Sequence, residues 1–439
     1  MSNIKTELLG KIKDKSAVIG IVGLGYVGLP LAVEFAKAGY KTIGFDVQDK
    51  KVQSVNAGHN YIGDIVGDTL KQMVESGRLS ATSDFAFIRG VDAVAICVPT
   101  PLDKYQQPDI SYVKNSTESV AKYAHRGMLV ILESTTYPGT TEELLKPILE
   151  SSGLKCCEDF YLAFSPERVD PGNKQYKTKN TPKVVGGVGP DSTEVAAVLY
   201  RSVLAGGVYE VSSPAVAEME KLLENTYRNI NIGLANEMAI ICHRMGINVW
   251  EVIEAAKTKP YGFQAFYPGP GLGGHCIPLD PFYLSWKARE YDYHTRLIET
   301  SGEINTSMPE YVVQRAMTVL NRDKKSMNGA KVLVLGVAYK ADIDDYRESP
   351  ALSVIDLLIK QGADTTYYDP YISEYRHKGK VHTGAKELTD EMLKTADIVI
   401  ICTAHSSFDY NKIQKLSQEV FDTRNAMKDV KNRSNIELL

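Results

Sequence analysis

Apolar residues recur along this chain in two rhythms. Short, nearly unbroken runs rich in Val and Ile, at residues 17–22, 41–45, 92–98, 331–335 and 397–402, predict strands buried on both faces of a parallel sheet. Longer stretches in which apolar positions return every three or four residues predict helices. One follows the first run to Ala38 and is closed by Gly39; the longest extends from about Pro214 to Met245. Ser213 can cap this long helix, Pro214 suits its first position and Gly246 can end it. Its apolar positions 219, 223, 227, 230, 234, 238 and 241 keep the helical period. At ~1.5 Å per residue it spans roughly 48 Å, longer than one small domain, which fits a helix that links two domains and packs against a partner subunit, or one buried within a domain. Lys221 and Asn225 fall on another face, four residues apart and so side by side, a pattern that a solvated face also produces.

The front and the back of the chain echo each other. Asp92-Ala93-Val94-Ala95-Ile96-Cys97-Val98 is matched by Asp397-Ile398-Val399-Ile400-Ile401-Cys402-Thr403, and the runs at 17–22 and 41–46 are matched at 331–336 and 365–369. Two related parallel α/β units are therefore expected. The first carries Gly23-Leu24-Gly25-Tyr26-Val27-Gly28 between strand and helix, and Asp46 ends its second strand eighteen residues after Gly28. That combination is the dinucleotide fingerprint: glycines let the backbone approach a pyrophosphate at a helix N-terminus, and the acid binds a ribose 2′-hydroxyl. An aspartate there favours NAD over NADP, although Lys50 and Lys51 are near in sequence. The second unit reads Gly336-Val337-Ala338-Tyr339-Lys340; lacking the fingerprint, it is expected to bind something else. The predicted fold is α/β, with two Rossmann-like, doubly wound parallel-sheet domains at 1–213 and 326–439, joined through a central helical region at 214–325.

Composition narrows the function. An apolar share of 44%, a charged share of 24% and a formal net charge of -4 leave no electrostatic footprint for nucleic acid and no basic run for a membrane surface. The apolar start is interrupted by four glycines, Pro30, Glu34 and Lys37, which marks it as fold rather than signal peptide. Cysteines at 97, 156, 157, 242, 276 and 402 show no C-x-x-C spacing, so neither a metal site nor a disulfide framework is expected, and a reduced, cytoplasmic protein is.

One cysteine stands out. Tyr267-Pro268-Gly269-Pro270-Gly271-Leu272-Gly273-Gly274-His275-Cys276-Ile277-Pro278-Leu279-Asp280 places Cys276 in a loop where glycines admit a ligand and prolines hold one shape, with an acid four residues on. A free cysteine is as readily a small buried hydrophobe; here its setting points to a nucleophile.

Taken together these residues resemble the UDP-glucose/GDP-mannose dehydrogenase family over nearly the whole chain. The resemblance rests on the glycine turn, Val98-Pro99-Thr100-Pro101, Glu133-Ser134-Thr135, Ser165-Pro166-Glu167-Arg168, Lys221-Leu222-Leu223-Glu224-Asn225, Gly274-His275-Cys276-Ile277-Pro278-Leu279-Asp280, and Lys340 with Arg347-Glu348-Ser349-Pro350. The wording around Glu133 and from 267 to 283 is most like bacterial UDP-N-acetylglucosamine 6-dehydrogenases. Pro171 stands where the UDP-glucose branch carries a second glutamate, which weakens that assignment.

The resemblance implies a four-electron oxidation of a nucleotide-sugar at C6 with two NAD. Cys276 would form the thiohemiacetal and thioester, Lys221 and Asn225 would stabilise the oxyanion, Asp280 would position water, and Glu167 would act as acid/base in hydrolysis. NAD would lie on Gly23, Gly25, Val27, Gly28 and Asp46, with Thr100, Thr135 and Arg347 added by resemblance. The sugar nucleotide would meet the loop from Tyr267 to Gly273 and Lys340, besides Glu167, Lys221 and Asn225. A homodimer or larger homo-oligomer, feeding capsule or lipopolysaccharide synthesis, is the family's habit. Three other readings stay open: a hydroxyacid dehydrogenase using one NAD and no cysteine, a nucleotide-sugar epimerase, and a silent NAD- or sugar-binding module. The epimerase would want a Tyr-x-x-x-Lys pair on the cofactor domain, and the matching spacing, Tyr283 with Lys287, falls outside it.

Overall fold

The computed structural model describes the chain apart from Met1, Ser2, Asp64, Val66, Lys104, Pro171, Gly172, Lys174, His275 and Cys276. It divides into two compact units, Met1–Glu224 with Phe282–Tyr291, and Asn225–Pro281 with Asp292–Leu439.

The first unit is built on eight strands: β1 (Val18–Val22), β2 (Lys41–Phe45), β3 (Leu79–Thr82), β4 (Ala93–Ile96), β5 (Leu129–Leu132), β6 (Tyr161–Phe164), β7 (Lys183–Gly187) and β8 (Val208–Val211). They lie in the order β3-β2-β1-β4-β5-β6-β7-β8. All neighbours are parallel except β6 and β7. The chain order reverses at β1, and in such sheets ligands bind beyond the carboxyl ends of the strands at that point. Why the strands read as continuous apolar runs is plain from the two cores. Ile19, Ile21, Ala93, Ala95, Leu129 and Ile131 enter one, while Val22, Val94, Ile96, Val130 and Leu132 enter the other, so alternate residues are buried on opposite faces.

The second unit repeats the scheme with five parallel strands, β9 (Lys331–Leu335), β10 (Asp364–Tyr368), β13 (Ile398–Ile401), β14 (Val420–Asp422) and β15 (Ile436–Leu438), in the order β10-β9-β13-β14-β15. A hairpin of β11 (Glu374–His377) and β12 (Lys380–Thr383) stands apart from this sheet. Its core again has two faces, one with Val332, Val334, Ile398 and Ile400, the other with Leu333, Leu335, Val399 and Ile401. The fold is thus α/β, with two Rossmann-like parallel-sheet units and a long central helix.

That helix is Pro214–Met245. The Ser213 hydroxyl accepts the Val216 amide at 3.4 Å, and Gly246, at φ +69°, turns the chain so that the Ile247 amide reaches the Cys242 carbonyl at 2.8 Å. The helix buries the opposite side from the one its apolar period suggests. Met219, Leu223, Tyr227, Leu234 and Ile241 are exposed, whereas Glu218, Lys221, Asn225, Asn229 and Asn236 are buried. Several groups on this polar side are hydrogen-bonded: Glu218 accepts the Gly139 and Thr141 amides, Asn225 donates to Asp280 and Asn236 to Asn305. Among the described residues no helix is long and apolar enough to cross a membrane.

Candidate active site

The glycine turn after β1 has the shape a dinucleotide needs. Gly23 adopts φ +94°, and a Cβ on it would stand 2.6 Å from the Cys97 carbonyl oxygen; a Cβ on Gly28 would stand 1.9 Å from the Gly23 oxygen. Both positions therefore exclude a side chain. Around Gly25 an added Cβ would meet nothing within 4 Å, so that side of the turn is open. Val27 leads into the helix Gly28–Lys37. Amides at a helix start beside a side-chain-free turn form a cradle for a pyrophosphate, so the residues present fit NAD.

Asp46, 7% exposed, lies beyond β2. Its Oδ2 accepts the Leu24 amide at 2.9 Å and its Oδ1 accepts the Gln48 amide at 2.9 Å, with Lys51 Nζ 3.3 Å from Oδ2. The acid is thereby fixed against the turn, and Lys51 partly offsets its charge. Thr100 and Thr135 follow β4 and β5 on the same carboxyl edge, and the Thr100 carbonyl accepts the Tyr283 hydroxyl at 3.0 Å. Arg347, by contrast, belongs to the second unit, where it is paired with Asp345 at 2.7 Å.

Beyond β6 lies Glu167. One of its oxygens accepts the Arg168 and Val169 amides at 2.7 and 2.9 Å, and the other lies 3.6 Å from Lys183 Nζ. Lys183, on β7, also donates to Glu133, as does the Tyr200 hydroxyl. Burial works to raise the Glu167 pKa; the charge of Lys183, the two amides and the charge of Lys221 overcome it and hold the carboxyl below its usual range. For Glu133 burial prevails over Lys183 and its pKa is raised. The pKa values of the two carboxylates around one buried cation are thus pushed apart, Glu167 down and Glu133 up. The sequence reading missed Glu133 as a chemical group, and missed Lys183 and Tyr200, because nothing local marks them.

In the second unit the glycine loop is held closely. A Cβ on Gly273 would stand 2.7 Å from Tyr339 Cβ and 3.0 Å from Pro350 Cδ, and Gly271, at φ +135°, would place one 2.9 Å from Pro350 Cβ. The loop thereby lies against the segment 339–350 that carries half-buried Lys340 and Arg347. Asp280 opens the helix Asp280–Ala288, and its Oδ2 accepts the Asn225 amide. Tyr267 is directed elsewhere: its ring stacks on Trp250 at 6.1 Å and its hydroxyl donates to Glu254 at 2.6 Å. Cys276, the expected nucleophile, and Pro171 lie outside the described residues. Lys221 and Asn225 are 7% and 5% exposed, so neither belongs to a solvated face.

Comparison with known proteins places these features together. The UDP-glucose/GDP-mannose dehydrogenase family matches through its NAD binding domain at residues 17–204, its central domain at 215–307 and its UDP binding domain at 333–432. The chain is 36% identical to the UDP-N-acetyl-D-glucosamine 6-dehydrogenase of Pseudomonas aeruginosa over 396 residues, covering 90% of this chain and 92% of that one. It is also 36% identical to the UDP-N-acetyl-D-mannosamine dehydrogenase of Pyrococcus horikoshii over 417 residues, 94% of this chain and 96% of that one. The solved structure of a UDP-D-ManNAc dehydrogenase from Pyrococcus horikoshii superposes with a TM-score of 0.87 at 34% identity, covering 96% and 98% of the two chains. With its NAD cradle, its buried polar helix face and all three domains matched, the chain belongs to the UDP-glucose/GDP-mannose dehydrogenase family and is an NAD-dependent nucleotide-sugar dehydrogenase.

Proposed function

We propose that the protein oxidises UDP-N-acetylglucosamine at C6 to its uronic acid, in two steps through a covalent bond to Cys276. The observation that carries this reading is the buried polar side of the central helix: Lys221 and Asn225 are withdrawn from water, and Asn225 holds Asp280. Burying such side chains costs free energy that a bond must offset, as Asp280 does for Asn225. Bound NAD supplies a hydride acceptor at each step.

An aldehyde has no hydroxyl to oxidise until a nucleophile adds, and the Cys276 thiol gives a thiohemiacetal, then a thioester that water cleaves to carboxylate and free thiol. An ordinary thiol, with a pKa of ~8.5, is only slightly ionised at neutral pH, so the Lys221 cation favours the attacking thiolate. Lys221 and the Asn225 amide stabilise the oxyanion that develops on the C6 oxygen. Asp280, oriented by Asn225, positions water, and ionised Glu167 takes its proton in thioester cleavage. Gly273 and Lys340 receive the sugar nucleotide, the lysine facing its diphosphate. Tyr267, which the motif includes, contributes through its ring and backbone while its hydroxyl serves Glu254. Arg347, paired with Asp345 in the second unit, is assigned to the cofactor by resemblance alone. A homodimer, built through the exposed apolar stripe of the central helix, is part of the same reading, as are domain limits at 213 and 325.

UDP-N-acetylmannosamine is the second reading, favoured by the equal identity to the Pyrococcus horikoshii protein. The test is a panel of UDP- and GDP-sugars assayed for NADH. Two NADH per sugar, with no free aldehyde, are expected for UDP-N-acetylglucosamine. One NADH, or released aldehyde, would remove the cysteine mechanism.

A further inference from the structure

The buried side of the central helix bears asparagines at 225, 229 and 236, intervals of four and seven residues that keep one face. Asn229, Asn236 and Asn305 are 2%, 0% and 4% exposed, and Asn305 lies on the helix Arg296–Arg322. A backbone N–H can only donate, and that fixes the orientation of Asn236 and, through it, of Asn305. The Gly269 amide donates to Asn236 Oδ1 at 2.9 Å, so the Asn236 nitrogen faces Asn305 and donates to its Oδ1 at 2.8 Å. The Asn305 nitrogen then donates to the Asn229 main-chain carbonyl at 3.1 Å. The Ile277 carbonyl, which can only accept, faces the Asn229 nitrogen at 3.4 Å, and Asn229 Oδ1 lies 2.8 Å from the Ser301 hydroxyl. The row begins at a donor on one flank of the glycine loop and ends at an acceptor on the other. The row passes through Asn229 by its main-chain carbonyl on one side and its side-chain nitrogen on the other, and the whole of it lies in one compact unit.

We infer that Asn236, Asn305 and Asn229 are positioning residues that tie the two flanks of the glycine loop into one hydrogen-bonded unit and thereby set its affinity for the nucleotide-sugar. The part concerning affinity rests on the reading that this loop receives the sugar nucleotide. None of the three need touch substrate. Their effect passes through the loop backbone, which has no regular secondary structure of its own between 263 and 274. Three buried amides in a row are costly unless each is satisfied, so removing an outer one frees the flank of the loop that it holds.

The test uses the full-length protein and two measurements, amide hydrogen exchange over 266–281 and the KM values for NAD and for UDP-sugar. In Asn236→Ala the exchange of the Gly269 region should quicken at least about tenfold, the KM for the sugar should rise about tenfold and the KM for NAD should stay within about twofold. Asn236→Asp still accepts from Gly269 but loses the donor to Asn305 Oδ1, so exchange at Gly269 should recover only in part. Should Asn236→Ala not fold, Asn229→Asp replaces it: this keeps the acceptor for Ser301 but loses the donor to Ile277, so exchange should quicken at 277–281 and not at 267–271. Unchanged exchange in a folded variant, or NAD and sugar KM rising together, would overturn the proposal. If exchange responds as expected while the wild-type protein oxidises none of the UDP-sugars, the functional reading falls and the loop-tying role stands.

Discussion

A carboxylate can take a proton from water only while it is ionised, and the surroundings of Glu167 keep it so. Its lowered pKa means that its ionised form, and the stability it contributes, are complete above the unfolded value of ~4.3 and are lost as pH falls through the lower folded value. The kcat profile should therefore show no Glu167 titration from about pH 5 upward; an inflection near pH 6 that vanishes in Glu167→Gln would contradict this. Because the thioester forms before water is needed, Glu167→Gln should still complete both oxidations and then stall. Intact mass spectrometry should find the acyl adduct, peptide mapping should place it on Cys276, and a burst of two NADH per site should precede the stall. Asp46 acts on the other reactant. Its loss removes a charged hydrogen-bond acceptor beside the turn, so Asp46→Ala should raise the KM for NAD about tenfold, with the sugar KM nearly unchanged. Freed from its ion pair, Lys51 should at the same time narrow the preference for NAD over NADP, and steady-state kinetics with both cofactors reads each effect.

At the scale of one element, the central helix separates what sequence reveals from what it withholds. Its ends were legible because Ser213, Pro214 and Gly246 act locally, through a hydroxyl, a fixed φ and a positive φ. Which side it buries was not, because the partners that satisfy Asn229 and Asn236 stand on residues 33 to 76 positions away. The exposed apolar side has a consequence for assembly. In a twofold interface each substitution is met twice, so Leu234→Glu, at a residue 55% exposed, should weaken self-association by at least about 100-fold. Light scattering across a dilution series should give the mass of one chain for this variant and of two for wild type. A wild-type chain that is monomeric at tens of micromolar would refute the dimer.

Across the molecule, one strand pattern serves two purposes. In the first unit Asp46 Oδ2 takes the Leu24 amide of the turn; in the second, Asp369 Oδ2 takes both turn amides, Val337 at 2.7 Å and Ala338 at 3.0 Å, and also faces His405 Nε2 at 3.0 Å. The second turn is closed by its own carboxylate rather than left for a pyrophosphate. Lys340→Ala should therefore weaken UDP-sugar binding about tenfold while sparing NAD, and titration calorimetry with each ligand separates the two. The duplication itself could be read from sequence, since strands and turns declare themselves within a few residues. The Glu133, Lys183 and Tyr200 cluster could not, its bonds joining positions 50 and 67 apart. The interrupted course of both units bears on recombination. Residues 282–291 return to the first unit, where Tyr283 bonds Thr100 and Lys287 pairs with Glu143 at 2.9 Å. A single crossover between two relatives would leave that return segment with the wrong parent. Chimaeras that exchange sugar preference should therefore survive only when 225–281 and 292–439 are transplanted together and the ten residues between them stay with the host.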